Sequence, residues 1–147
     1  MGLDMYLTKE IYIAARYSHR EVAGECKITI RGTPVNIDFN KIETITMSVG
    51  YWRKANAIHN WFVQNCQDGE DNCEKFAVST KQLIQLRELC KKAIETEDAS
   101  LLPPVGGFFF GNTEINEYYW QDLKDTIEIL KDVQEKDYDD YFYQSSW

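Results

Sequence analysis

Hydrophobic positions alternate with polar ones through the first third of the chain and then change to a helical period. Leu3, Met5 and Leu7, followed by Ile11 and Ile13, recur at every second position, predicting a strand over 3–13 with an irregular join between its halves. In "ECKITI" and "PVNIDF" the residues Cys26, Ile28 and Ile30, then Val35, Ile37 and Phe39, share one face, and "RGTP" between them predicts a β-hairpin. Ile45, Met47 and Val49 continue the alternation and predict the third member of an antiparallel meander. From Tyr51 the spacing suits a helix: over 51–66, Tyr51, Ala55, Ile58, Phe62 and Cys66 fall on one core-facing stripe.

"QDGEDN" ends that helix in an acidic turn, and "EKFAVS" has the length of a short strand. Ser79 with Gln82 three residues later is a capping-box pattern opening a helix that carries Leu83, Leu86, Cys90 and Ile94. Pro103 and Pro104 stop any continuation, because proline lacks the donor and clashes with the preceding turn. Over 117–136, Trp120, Leu123, Ile127 and Leu130 share a face behind an Asn116 cap, and "YDDYFYQSSW" alternates as a last strand. The expected fold class is α+β: one domain over residues 1–147, with a mostly antiparallel sheet and about three helices on one side.

Composition narrows the functional classes. The formal charge of −8, from 24 acidic and 16 basic residues, opposes general binding to duplex DNA, which requires cations along the phosphates. No apolar run reaches membrane-spanning length, and no membrane partner is expected. Cys26, Cys66, Cys73 and Cys90 form no C-x-x-C pair, so neither a zinc site nor any other metal or cofactor is expected, and free thiols point to a reducing, cytoplasmic compartment. The terminal aromatics Tyr143 and Trp147 are expected to pack, in the sheet or on a partner subunit.

The predicted helix carries the densest candidate chemistry. Opposite its core stripe, Arg53, Asn56, Asn60 and Gln64 fall together, with Trp52 and His59 along one border. Such a strip suits an anionic ligand containing a base, with guanidinium on phosphate, amides on base edges and an indole on a base face. An ordinary solvent-facing helix surface would look the same. His59 alone also permits a small hydrolase, since imidazole titrates near neutrality, yet no H-x-x-x-H, H-E-x-x-H or G-x-S-x-G accompanies it. In "GGFFFGNT", Gly106, Gly111 and Thr113 match the spacing of a phosphate loop, but Asn112 occupies the lysine position, which excludes a Walker nucleotidase. Phe108, Phe109 and Phe110 are expected to wedge into the core or, exposed, to form with Trp61, Tyr143 and Trp147 a self-association surface.

"MGLDMYL", "YWRKANAIHNWF", "GFFFG" and "YQSSW", in this order and across the whole chain, resemble the motifs of a family of small proteins encoded by bacteriophages and prophages. The resemblance implies an accessory protein acting in the host bacterial cytoplasm, in a role that includes antagonism of host defence. Capture of a small ligand, such as a nucleotide signal, at Trp52, Arg53, Asn56, His59 and Asn60 is the leading expectation, without catalysis and with self-association as a homo-oligomer. The alternative is an acidic, DNA-mimicking inhibitor of a host protein.

Overall fold

A computed structural model describes residues 2–13, 27–135 and 140–147. Cys26 and His19 lie outside the described residues. The elements are β1 (Asp4–Tyr12), β2 (Ile28–Ile30), β3 (Thr33–Val35), β4 (Thr44–Arg53), α1 (Asn56–Cys66), β5 (Phe76–Val78), α2 (Thr80–Thr96), α3 (Glu117–Ile129) and β6 (Asp140–Ser146), with short 3-10 turns at Phe39–Lys41 and Ala99–Leu101. The fold is α+β. A four-stranded antiparallel sheet has the order β4-β1-β6-β5, and β2 with β3 forms a separate two-stranded sheet.

β1 is central because its alternation lets Leu3, Met5 and Leu7 bury completely on one side while Tyr6 faces out. On the same side, β6 contributes Tyr141 and Tyr143 and β4 contributes Trp52, and the three helices close over this layer with Phe62, Leu86, Leu123 and Leu130. The irregular join expected in β1 is a register shift: Leu7 pairs with Gly50 but Thr8 with Ser48, so β4 holds one extra residue there.

Two expectations require correction. The β2–β3 hairpin forms, turned by Arg31 at φ 50° and Gly32 at φ 81°, but it does not continue into a meander with β4. A 3-10 turn at Phe39–Lys41 interrupts the path, and β4 pairs with β1 instead. The hairpin's apolar residues stay largely uncovered, Ile30 at 58% exposure. The second correction concerns the helix predicted from Tyr51. Tyr51, Trp52 and Arg53 complete β4, and α1 begins only at Asn56 after a left-handed residue, Lys54 at φ 59°.

The helix expected over 117–136 stops at Ile129, and the capping signals are seen as read. Ser79 accepts the Gln82 N–H while the Gln82 side chain accepts the Ser79 N–H, completing the capping box. The Asn116 side chain accepts from the N–H groups of Tyr118 and Tyr119 and starts α3. The last strand pairs with both β1 and β5. Among the described residues no helix is long and apolar enough to cross a membrane.

Candidate functional site

The late start of α1 disperses the strip expected on its outer face. Trp52 is 4% exposed, packs edge-on to Phe62 and donates from Nε1 to Thr126 Oγ1 at 2.9 Å. Its ring is therefore core and has no open face for stacking. Asn56, also buried, donates from Nδ2 to the carbonyls of Phe110 (3.1 Å) and Asn112 (2.8 Å), which ties the aromatic glycine loop to α1. Asn60 is half-buried on α1, and Trp61 is buried against Phe62. Arg53 is the outlier: its side chain is 61% exposed, 3.9 Å from Asp4.

His59 lies inside the protein at 1% exposure. Its Nδ1 is 2.7 Å from the Tyr143 hydroxyl and its Nε2 is 2.9 Å from Asp71 Oδ2. A carboxylate only accepts, so in the neutral ring Nε2 carries the proton toward Asp71 and Nδ1 accepts from the Tyr143 O–H. Trp147 Nε1 donates to the other Asp71 oxygen at 3.1 Å, and the Phe110 ring stands edge-on to His59. Tyr143 is stacked on Phe62 with ring centroids 3.9 Å apart, and burial pushes its phenol well above the ordinary tyrosine range. The chain Tyr143–His59–Asp71–Trp147 has the composition of a proton relay, but both imidazole nitrogens are engaged and neither ring meets solvent. It ties α1, the acidic turn and β6 together, with the imidazole held out of solvent.

The aromatics expected at an interface divide. Tyr143 and Trp61 are enclosed within this chain, Phe110 packs against the core, and Trp147 is 44% exposed. Phe108 projects at 95% exposure with Phe109 edge-on beside it, while the Phe109 carbonyl accepts from Leu3 N–H. The thiols of Cys66 and Cys90 are pushed up to about 12 by burial, which removes them as nucleophiles at neutral pH. Among the described residues no group of three His, Cys, Asp or Glu is placed to hold a metal ion.

What the fold does build is a cleft of about 500 Å³ where the end of β4, the start of α1, the loop at 111–116 and the first turns of α3 meet. Small-ligand sites typically span roughly 300–1,000 Å³. Arg53 and Lys54 enter from β4, Asn56 and Ala57 from α1, and Asn112 and Glu114 from the loop. α3 adds Tyr118, Tyr119 and Asp122. Ala55, at the N-cap of α1, provides no side-chain cap; the Asn56 N–H donates to the Lys54 carbonyl at 2.8 Å, and the next N–H groups open toward this end of the cleft without a side-chain cap among the described residues. The Asp122 carboxyl makes no hydrogen bond or ion pair among the described residues, and burial, with Asp125 as a lesser cause, raises it to about 7. Of the expected ligand residues, Arg53 and Asn56 come together here, and Trp52, His59 and Asn60 do not line the cleft.

Lys54, which the sequence offers beside Arg53 as a second cation for phosphate, does line the cleft, whereas Tyr118 and Asp122 were invisible as site residues in the sequence. Asp122 stands among Gln121, Lys124 and Asp125, and nothing in that polar run singles it out. Comparison with protein-family models, curated proteins and solved structures finds no match to this chain.

Proposed function

We propose that this chain is a phage or prophage accessory protein of the bacterial cytoplasm that captures a small anionic ligand of the nucleotide class without chemically changing it. The observation that carries the proposal is the cationic end of the cleft. Arg53 and Lys54 flank the start of α1, whose N-terminus has no side-chain cap. Lys54 makes no ion pair among the described residues, so its charge is available to a ligand. Uncapped helix N–H groups together with two cations are what a phosphate requires. Tyr118, 72% exposed at the mouth, offers a ring face for a base.

This reading keeps the ligand class expected from the sequence and moves its contacts. Trp52, His59 and Asn60 leave the contact set, Arg53, Lys54 and Asn56 stay in it, and Tyr118 and the loop at 111–116 enter it. Capture rather than catalysis is the reading adopted, supported by the absence of Cys and His from the cleft lining, where Asp122 is assigned to binding. Antagonism of a host defence signal is the biological role proposed, and the Phe108–Phe109 projection is the surface proposed for homo-oligomer formation.

Native mass spectrometry of freshly purified protein, followed by thermal shift with a panel of nucleotides, tests the proposal. Retained or added nucleotide recovered unchanged, with saturable stabilisation that Lys54→Glu abolishes, is the expected outcome. A bare protein that no nucleotide stabilises contradicts it, and conversion of the nucleotide would replace capture by catalysis.

A further inference from the structure

The cleft is bipolar, and its second pole selects among bases. The cations stand at the β4–α1 end, while Asp122 lines the cleft from the second turn of α3. No ion pair joins Asp122 to Arg53 or Lys54 among the described residues, and Arg53 turns toward Asp4 instead. The two polarities are therefore separate features of the cleft and not a collapsed ion pair. Asp122 is half-buried, so its carboxyl oxygens stay open to the cleft, and no protein donor among the described residues engages them. The neighbouring Thr126 hydroxyl does not, because it donates to the Asp122 backbone carbonyl.

Resting on the nucleotide reading above, we infer that Asp122 reads the base, and that the cleft selects guanine nucleotides over adenine nucleotides. Guanine presents two adjacent donors on its Watson–Crick edge, N1–H and the N2 amino group, matching the two oxygens of one carboxylate. Adenine presents a donor beside an acceptor, and the acceptor N1 faces a carboxylate oxygen with no proton between them. Uracil offers one donor between two acceptors, and cytosine one donor beside two acceptors, so neither matches both carboxylate oxygens. Tyr118 supplies stacking that every base accepts, so it contributes affinity without discrimination. Arg53 and Lys54 act on the phosphate and are indifferent to the base. Selectivity then depends on Asp122 alone.

Titration calorimetry of the full chain with GMP, IMP and AMP at pH 8 tests this. Asp122 is ionised at that pH, and IMP keeps N1–H but lacks the N2 amino group. The expected order is GMP, then IMP, then AMP, with AMP about tenfold or more weaker than GMP, the discrimination ordinarily given by a bidentate base contact. Asp122→Asn exchanges one acceptor for a donor, the pattern that complements adenine, so GMP weakens and AMP strengthens. Lys54→Glu weakens all three nucleotides together, and circular dichroism confirms that both variants remain folded. Binding of the three with equal affinity, or an unchanged preference in Asp122→Asn, overturns base reading by Asp122 while leaving nucleotide capture intact. Binding of none of them overturns both.

Discussion

Lys54 occupies a backbone conformation, φ 59°, that costs a residue bearing a Cβ roughly 1–2 kcal/mol. The turn from β4 into α1 would be satisfied by glycine, yet the position holds an ammonium at the edge of the cleft. Lys54→Gly should therefore raise stability in urea denaturation by up to about 1 kcal/mol while losing nucleotide affinity, separating the site from the scaffold. A variant that loses both would assign Lys54 to structure. Asp122 makes an opposite demand. Its carboxyl is raised from an ordinary value of 3.8 to about 7, so between those values the folded state holds a proton that the unfolded chain has released. With more protons bound when folded, this group's contribution to stability declines as pH rises from about 4 to about 7 and levels above that. Asp122→Asn removes the contribution: its melting temperature should exceed that of the parent at pH 8 and converge with it near pH 4. Parallel pH profiles would contradict the placement of Asp122. His59 illustrates what single residues conceal. Its type and position were plain in the sequence, but its partners come from residues 71 and 143, and only folding makes it a buried tie.

At the scale of elements, local chemistry was legible where donors and acceptors lie within a few residues of each other. The Ser79–Gln82 box, the Asn116 cap and the tight turn at Gly32 are of that kind. The start of α1 was not, because Ala55 carries no capping side chain and Tyr51 and Trp52 suit a strand as well as an amphipathic helix. That ambiguity generated the false strip, since two strand residues were wrapped onto a helix. The packing of α3 on β4 includes a close approach at Gly50. A Cβ built there would lie 2.4 Å from Ile129 Cγ2 on α3. Gly50→Ala should destabilise by about 1–3 kcal/mol through overpacking, and Ile129→Ala in the same chain should recover part of that loss. A double-mutant cycle in chemical denaturation with no coupling between the two positions would show that β4 and α3 do not meet there.

For the molecule as a whole, alternation and helical period gave the α+β class, but sheet order lay beyond them. β6 comes to rest between β1 and β5, and β1 between β4 and β6, through contacts across most of the chain that period-two patterning cannot rank. The cleft inherits that difficulty, since β4, α1, the 111–116 loop and α3 meet only after the sheet has formed. Its bipolar character also resolves how a chain of formal charge −8 can hold an anion: two cations and a helix N-terminus act locally, while the acidic turn around Asp71 is directed to His59. Capture of a nucleotide in this cleft is tested most directly by titrating labelled protein with GMP and following backbone amide resonances. Saturable shifts concentrated at Arg53–Ala57 and across 112–122, absent in Lys54→Glu, are the predicted result. Shifts centred elsewhere, or none at millimolar GMP, would contradict it.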